Sequence, residues 1–252
     1  MNRVESIKKI RLRLADDMLS IGSWIQLPHA SVAEIMGKAG YDWVAVDMEH
    51  GAVCVHQLPD LLRALELGGT LPMVRLAQGT PTECKQALDA GAGGVIVPMV
   101  ESAEQLKAIR EACCWPPSGR RGVGFSRANL FGKYFDKYRE EAQQPLLVAM
   151  IEHIRAIDNL DLILAVPGLD AIMVGPYDLS GSMDMTGEFH REEFWDAMQR
   201  VLKACRTRGV PAGVHVVAPD PEEVDRRMQE GYRWIAYSID SVFLVHSAEA
   251  PR

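Results

Sequence analysis

The sequence predicts a single-domain (β/α)8 barrel that spans residues 1–252. Three observations favour this fold. Short apolar runs alternate with helical patterns along the chain, about eight such runs occur, and the length of 252 residues suits this barrel. The residues are 48% hydrophobic and 24% charged, which is enough for a large core. A doubly wound parallel sheet is the second choice.

The hydrophobic pattern places the elements in order. Residues 1–14 have the spacing of a short amphipathic helix. Strands are predicted to start near Ile21, Trp43, Pro72, Gly94, Leu146, Ala171, Ala212 and Trp234. Helical patterns lie between them, and several end in a glycine that accepts the left-handed conformation of a helix C-cap, namely Gly68, Gly91, Gly209 and Gly231. After the last strand, residues 241–252 leave room only for a short, truncated final helix.

The segment from Trp115 to Gln144 is unusually polar and glycine-rich. We expect it to form a long loop over the active face of the barrel. Its Gly119–Gly124 part has the spacing of a nucleotide-binding loop, but it follows no predicted strand and opens no clear helix. The sequence therefore argues against a nucleotide-binding loop.

Composition limits the partners and the compartment. A net charge of −7 with scattered basic residues argues against nucleic acid as the main partner. No apolar run approaches the ~20 residues that span a bilayer, and the N-terminus lacks the apolar core of a signal peptide. The five cysteines show no CxxC spacing, which is typical of thiols in a reducing compartment. We expect a cytoplasmic protein with no membrane partner.

Charged residues follow four of the predicted strands at the point where each strand ends. The carboxyl ends of parallel barrel strands meet at the active face, so these side chains should converge there. They are Asp47, Glu49 and His50 after one strand, then Arg75, then Glu152, and then Asp178 in the segment Gly175–Asp178. One histidine, one arginine and separated carboxylates at strand ends predict a metal-assisted enzyme.

Glu152 and Asp178 follow two successive strands and should lie within a few ångströms of each other. Two carboxylates, completed by water and substrate oxygens, suit Mg²⁺, Mn²⁺ or Co²⁺. The alternative is a pair of capping or salt-bridged carboxylates with Arg75 as their counter-ion. Both interpretations stay open on the residues alone.

His50 is either a proton carrier or a hydrogen-bonded structural residue. A carboxylate partner would fix its tautomer and raise its basicity, and Asp47 and Asp89 both qualify. The roles of His153 and His215, at strand ends, stay open. The remaining histidines have loop or surface settings: His29, His56, His190 and His246. No lysine falls at a predicted strand end, which excludes a Schiff-base aldolase.

Five segments in order resemble the HpcH/HpaI aldolase family, over a match from about Ile21 to Leu244. They are Asp47–Gly51, Val97–Ala103, Arg121–Gly124, Ile151–Glu152 and Gly175–Ser180. The resemblance implies a class II pyruvate aldolase on a (β/α)8 barrel, and a homo-oligomer, usually a hexamer built from dimers that exchange the last helix. The short C-terminus leaves a dimer or another assembly open.

The resemblance also implies roles for single residues. Glu152 and Asp178 match the metal ligands, and His50 and Arg75 match the catalytic histidine and arginine. Asp89 matches the acid paired with that histidine, which in the family can act near a subunit boundary. Asp47 matches a second support of the loop that carries the histidine. The backbone of Gly175, Pro176 and Tyr177, which leads into Asp178, matches the turn that holds the pyruvate carboxylate.

The implied reaction is reversible cleavage of a 4-hydroxy-2-oxo acid to pyruvate, or a close 2-oxo acid, and an aldehyde through a metal-stabilised enolate. Arg75 would donate to the enolate oxygen, and His50 would move protons. Two residues depart from the family pattern, Met150 in place of glutamine and Tyr177 in place of a small residue, and Tyr177 should reshape the pocket. A CoA-thioester lyase of the citrate-lyase-β or malyl-CoA type, and a non-catalytic barrel, are the alternatives.

Overall fold

Eight parallel strands close into a barrel in the computed structural model, which describes residues 2–248 and Ala250. Each strand pairs with the next, and the last pairs with the first. The strands are β1 Ser20–Ile25, β2 Trp43–Asp47, β3 Leu71–Arg75, β4 Gly94–Val97, β5 Leu146–Ile151, β6 Ala171–Val174, β7 Ala212–Val216 and β8 Trp234–Ile239. The predicted (β/α)8 barrel is confirmed, and every predicted strand start lies within one residue of the observed one.

Helices precede, connect and follow the strands. They are α1 Arg3–Ala15, α2 Ala30–Lys38, α3 Leu58–Gly68, α4 Pro81–Ala90, α5 Ala103–Cys113, α6 Phe135–Gln143, α7 Ile154–Asp158, α8 Leu160–Leu164, α9 Pro176–Ser182, α10 Glu192–Arg208, α11 Pro221–Glu230 and α12 Asp240–Ser247. The short helices predicted at both ends are confirmed as α1 and α12. None of the described helices is both long and apolar enough to cross a membrane.

Three of the four predicted glycine caps are confirmed, since Gly91, Gly209 and Gly231 have positive φ. The prediction for Gly68 is wrong, because Gly69, with φ 98°, caps α3 instead. Gly68 lies against α2, where an added Cβ would come within 2.4 Å of Gly37. The missing side chain at Gly68 therefore lets two helix backbones approach each other.

Helix α1 covers the amino end of the barrel. Its buried residues Ile7, Ile10 and Leu14 share a cluster with inward-facing strand residues such as Trp43 and Leu71. A second cluster fills the layer between the strands and the outer helices. Because one end of the barrel is covered by α1, a substrate must enter at the carboxyl ends of the strands.

The prediction of a loop over the active face, from Trp115 to Gln144, is wrong. This segment follows α5 and precedes β5, and helix-to-strand connections of a barrel lie at the amino ends of the strands. It includes α6 and packs on α1, where Arg3 donates to Glu141 and to the carbonyl of Ala128 at 2.6 and 2.7 Å. Its polar residues therefore anchor the covered end of the barrel.

Candidate active site

A buried arginine–carboxylate pair lies at the carboxyl ends of β2 and β3. Asp47 and Arg75 are the last residues of the two strands and are direct neighbours in the sheet register. Arg75 donates to Asp47 through Nε, at 2.8 Å, and through Nη2. Burial favours the neutral acid, but the hydrogen bonds and charge of Arg75 outweigh it and hold the pKa of Asp47 below its usual value. Asp47 therefore stays ionised and fixes the Arg75 guanidinium.

Asp47 also shapes the loop that carries His50. Its Oδ1 accepts from the backbone N–H groups of Glu49 and His50 at 3.0 and 3.2 Å, and its Oδ2 accepts from Gln26. Asp47 therefore supports the backbone of His50, and within the described residues none of its hydrogen bonds goes to the imidazole. The imidazole is 57% exposed, so its ring is free to meet a substrate at the mouth of the barrel.

Glu49 is a residue of the candidate site to which the sequence reasoning gave no role. Its Oε2 is buried with no hydrogen-bond partner, 3.3 Å from Arg75 Nη1 and 3.9 Å from His50 Nε2. Burial raises the pKa of Glu49, and the charges of Asp47 and Asp178 raise it further. The signal was its position, because it lies between Asp47 and His50 in a loop at the end of a strand.

Glu152 directly follows β5 and is 2% exposed. Its Oε2 accepts from the N–H of Met99 at 2.8 Å, and Met99 has φ 50°, an uncommon conformation that directs this N–H toward the carboxylate. On the other side an added Cβ at Gly175 would lie 2.6 Å from Glu152 Oε1. Only glycine fits there, so the backbone after β6 packs directly against the carboxylate.

The turn after β6 presents two free backbone donors. Gly175 N–H bonds to the carbonyl of Ile151, and Pro176 has no N–H, so neither can hold a ligand in the way the resemblance implied. The carbonyl of Gly175 accepts from Leu179. No protein acceptor is recorded, among the described residues, for the N–H groups of the two residues that lie between, Tyr177 and Asp178. These two groups are the ones available to an anion.

Within one chain, Asp89 does not reach His50. It is the penultimate residue of α4, a helix that starts at the carboxyl end of the barrel and ends at the amino end, while His50 lies at the carboxyl end. Asp89 instead accepts from Arg121 at 3.4 Å. Burial raises the pKa of Asp89 despite the charge of Arg121. A contact between Asp89 and a histidine stays a prediction about two neighbouring chains.

The two histidines whose roles were open have different positions. His153 is the N-cap of α7, where its Nδ1 accepts from Arg155 N–H at 3.1 Å, so it has a structural role. His215 lies on β7, with its imidazole 5.8 Å from the Trp24 ring and its Nε2 buried without a partner. The Trp24 ring also lies under the Arg75 guanidinium at 4.5 Å, which connects His215 to the site.

The carboxylates fit a divalent cation. Burial raises the pKa of Glu152 to about 7, and the charges of Glu49 and Asp178 add to this, so excess negative charge faces one space. A bound cation would relieve that repulsion, and carboxylate oxygens suit hard divalent ions. No cluster of three or more ligating side chains occurs in the described part of the chain. Glu152 and Asp178 would thus hold a cation whose other ligands are water and substrate.

Comparison with known proteins identifies the family. The family model for HpcH/HpaI aldolase/citrate lyase matches residues 20–247. The chain belongs to this family. It is 34% identical over 240 residues to a hydroxypyruvate/pyruvate aldolase of Roseobacter denitrificans, covering 94% of this chain and 93% of the relative. It is 36% identical over 238 residues to a 4-hydroxy-2-oxovalerate aldolase of Novosphingobium aromaticivorans, covering 93% and 89%.

A solved structure extends the match to three dimensions. A crystal structure of an HpcH/HpaI aldolase/citrate lyase family protein from Burkholderia cenocepacia aligns with a TM-score of 0.89 and 33% identity, over 95% of this chain and 96% of that one. The predicted family is confirmed. The prediction of a carbon–carbon lyase is confirmed at the level of the family, because the similar relatives are aldolases.

Proposed function

We propose that the protein is a divalent-metal-dependent aldolase that reversibly cleaves a 4-hydroxy-2-oxo acid to pyruvate, or a close 2-oxo acid, and an aldehyde. The observation that carries the proposal is an excess of negative charge, because a single guanidinium with a fixed position lies among several carboxylates. Arg75 is bonded to Asp47 through Nε and Nη2, and the acids Glu49, Glu152 and Asp178 add further negative charge around it. Such a site suits a cation and an oxyanion bound side by side.

Glu152 and Asp178 would hold the cation, with Mg²⁺, Mn²⁺ and Co²⁺ as the favoured ions. When bound, the ion supplies Lewis-acid polarisation of the 2-oxo group. Glu49 adds a third negative charge near that position. The N–H of Met99 and the close backbone of Gly175 hold the Glu152 carboxylate in place before any ligand arrives.

The chain's own groups would hold the 2-oxo acid at two points. The N–H groups of Tyr177 and Asp178 suit its carboxylate, since both lack protein acceptors in the described residues. Arg75 Nη1, the nitrogen not bonded to Asp47, suits the 2-oxo oxygen. That hydrogen bond strengthens as the 2-oxo oxygen becomes an enolate oxygen. It therefore stabilises the transition state for C–C cleavage more than it stabilises the bound substrate.

His50 would carry the proton. In the cleavage direction its imidazole takes the proton of the C4 hydroxyl, the bond between C3 and C4 breaks, and the aldehyde leaves with the enolate held by Arg75. Protonation at C3 then gives the 2-oxo acid. The exposed position of His50 at the barrel mouth suits this role, because the aldehyde half must enter and leave from that side.

The first test is exchange of the pyruvate methyl protons with deuterium, followed by NMR on protein stripped with EDTA and then supplied with Mg²⁺, Mn²⁺ or Co²⁺. We expect exchange only with metal, because exchange needs an enolate and no aldehyde. Absence of exchange with every ion would reject the proposal. Activity on malyl-CoA in that case would favour the thioester lyase.

We infer further that the active assembly is a homo-oligomer. Within the chain Asp89 faces away from His50, so the family's histidine–acid pair would need a second copy. Small-molecule 2-oxo acids and aldehydes are the proposed partners, with no nucleic acid or membrane partner and with the cytoplasm as the proposed compartment. Light scattering of the purified protein measures the assembly directly.

A further inference from the structure

One carboxylate oxygen lies close to both of the side chains that the proposed reaction uses. Oε2 of Glu49 is 3.3 Å from Arg75 Nη1 and 3.9 Å from His50 Nε2. This oxygen is buried and has no hydrogen-bond partner in the described part of the chain. Glu49 is therefore next to the arginine proposed to hold the 2-oxo oxygen and next to the histidine proposed to carry the proton.

The position of the Glu49 carboxylate is set by a rigid pair of residues. Arg75 donates to Asp47 through Nε and Nη2, and its guanidinium lies 4.5 Å from the centre of the Trp24 ring. The backbone N–H of Glu49 donates to the same Asp47 at 3.0 Å. Asp47 thus holds the backbone of Glu49, while the charge of Arg75 attracts its carboxylate.

The imidazole of His50 is less constrained than the arginine. It is 57% exposed, and Glu49 is the residue whose carboxylate it meets among the residues that the structure describes. Their separation of 3.9 Å is too long for a hydrogen bond. Catalytic hydrogen bonds are often long in an unliganded site and shorten when substrate binds. A small rotation of the exposed ring, by about 1 Å at Nε2, would bring it to an ordinary N–H···O distance.

The charges of the two side chains act on each other. Burial raises the pKa of Glu49, whereas the positive charges of Arg75 and of protonated His50 lower it. A carboxylate beside an imidazole in turn stabilises the protonated ring. When His50 takes a proton from the substrate, its new charge therefore meets a buried acceptor that is free to bind it.

The link between Arg75 and His50 also suits the geometry of the substrate. In a 4-hydroxy-2-oxo acid, only C3 separates the carbon of the 2-oxo group from the carbon that bears the hydroxyl group. The guanidinium and the imidazole must therefore act on two oxygens that lie close together. Holding reacting groups at such a fixed spacing accounts for a large part of catalysis.

We propose that Glu49 is a positioning residue whose carboxylate accepts the Nε2–H of His50, so that the Nδ1 lone pair takes the proton of the C4 hydroxyl. In a neutral imidazole one nitrogen donates and the other accepts, so this bond decides which nitrogen meets the substrate. The electron pair of the O–H bond forms the aldehyde carbonyl, and the pair of the C3–C4 bond goes to the enolate. The inference rests on the proposed aldolase function and specifies how its proton carrier is oriented.

The test compares two reactions that form the same pyruvate enolate at saturating Mg²⁺. Cleavage of 4-hydroxy-2-oxobutanoate, the smallest 4-hydroxy-2-oxo acid, requires removal of the hydroxyl proton. Decarboxylation of oxaloacetate releases C4 as CO₂ and requires no such removal. Glu49→Gln should lower kcat for cleavage by about 10–100-fold with little change in KM, as part of the ~100–10,000-fold that a general base contributes. Decarboxylation should be nearly unchanged, which also shows that the variant is folded.

Two further variants identify the residue through which Glu49 acts. His50→Asn should show the same selective loss, and adding Glu49→Gln to it should cost little more, because residues that act as one unit have non-additive effects. Glu101→Gln is the matched control. Glu101 also follows a strand at this end of the barrel and pairs with an arginine, Arg155, at 2.6 Å. Its variant should leave both reactions unchanged.

A second readout needs no substrate. The ¹⁵N signals of His50, assigned by their absence from His50→Asn, should show a protonated Nε2 in mildly alkaline buffer. In Glu49→Gln the Nε2 and Nδ1 signals should move in opposite directions, because an amide can donate to the ring as well as accept from it.

Equal losses of cleavage and decarboxylation in Glu49→Gln, additive losses in the double variant, or unchanged His50 signals would overturn the inference alone. Full cleavage by Glu49→Gln would overturn it too, and a loss in Asp89→Asn would then show that the acid partner comes from a second copy. Wild-type protein that exchanges no pyruvate methyl protons with Mg²⁺, Mn²⁺ or Co²⁺ would reject the proposed function and this inference together.

Discussion

The two ends of the barrel both contain buried or partly buried ion pairs between arginine and carboxylate, but only at one end do the two charges balance. At the amino end Arg3 bonds to Glu66 and to Glu141, and Arg127 bonds to Glu66, each at 2.6 Å. Two arginines there meet two glutamates. At the carboxyl end, within the part of the chain that the structure describes, Arg75 is the arginine whose charge favours ionisation of Asp47, Glu49 and Glu152. We call the first network closed, because its charges are paired, and the second network open, because it contains more carboxylates than arginines.

This difference separates a structural network from a binding site. In the closed network each charge has an opposite charge in contact, and the result joins α1, α3 and the segment before β5. In the open one Glu49 Oε2 has no hydrogen-bond partner, and the pKa of Glu152 is raised to about 7. Buried acid in excess of its counter-charge destabilises a fold unless a cation completes it, which supports the proposal that the carboxyl end holds the functional site.

The largest expected effect contrasts a carboxylate from each end. Glu152→Gln removes a proposed metal ligand, and we expect metal-dependent pyruvate exchange to fall by more than about 100-fold, since even outer partners of a metal site cost 10–100-fold. Glu141→Gln, in the closed network, should leave exchange unchanged and lower the melting temperature. NMR exchange and calorimetric Mg²⁺ titration measure both variants. Full exchange by Glu152→Gln would show that the open network is not the catalytic one.

The supporting acids of the two networks provide the second contrast. Asp47→Asn would leave Arg75 without its ionised partner, and breaking a buried pair typically costs about 3–5 kcal/mol. Because Arg75 would also lose its orientation, we expect exchange to fall about 10–100-fold. Glu66→Gln should cost about 1–3 kcal/mol of unfolding free energy and no activity. Urea unfolding and exchange assays on both variants give the comparison, and equal activity losses would erase the distinction between the two ends.

The sequence predicted the barrel and most of the open network for one physical reason. Parallel strands are buried on both faces, so each is an apolar run, and charge at its end lies at the carboxyl edge of the barrel. Asp47, Arg75 and Glu152 were found by that rule alone. That rule could not predict the closed network, because its members lie on helices and on the segment from Trp115 to Gln144. The polarity of this segment was taken as the sign of a loop over the active face.

Other parts of the site depend on geometry that no pattern displays. Glu49 gains its importance from an oxygen left without a partner. His215 faces the barrel interior because its neighbours on β7, Val214 and Val216, pack in the outer layer. Pro176 could have been excluded as a donor from its chemistry, since proline has no N–H. The remaining features of the site depend on contacts between residues that are distant in sequence, which no local pattern predicts.

The third contrast tests the close packing behind Glu152. Gly175→Ala adds a Cβ that would lie 2.6 Å from Glu152 Oε1, so the carboxylate must move. We expect Mg²⁺ affinity to weaken by about 10–100-fold, as for other changes beside metal ligands. Gly124→Ala, in the segment at the other end, has nothing within 4 Å of the new atom and is the control. Calorimetric titration of both variants should show a change only in the first.

The smallest expected effect is a pH dependence confined to the open network. The pKa of Glu152, about 7, lies above its ordinary value of 4.5, so the metal-free fold binds a proton that the unfolded chain releases between these values. Its stabilising contribution is complete below about pH 4.5 and is lost as pH rises through 7. A cation must displace that proton, so Mg²⁺ affinity should rise about fivefold from about pH 6 to 7 and by about twofold or less above pH 7. Glu152→Gln should abolish this slope, whereas Glu141→Gln should retain it. If the Mg²⁺ affinity of the unmodified protein does not change between about pH 6 and 7, Glu152 is already ionised at pH 6. The burial of Glu152 would then raise its pKa less than we expect.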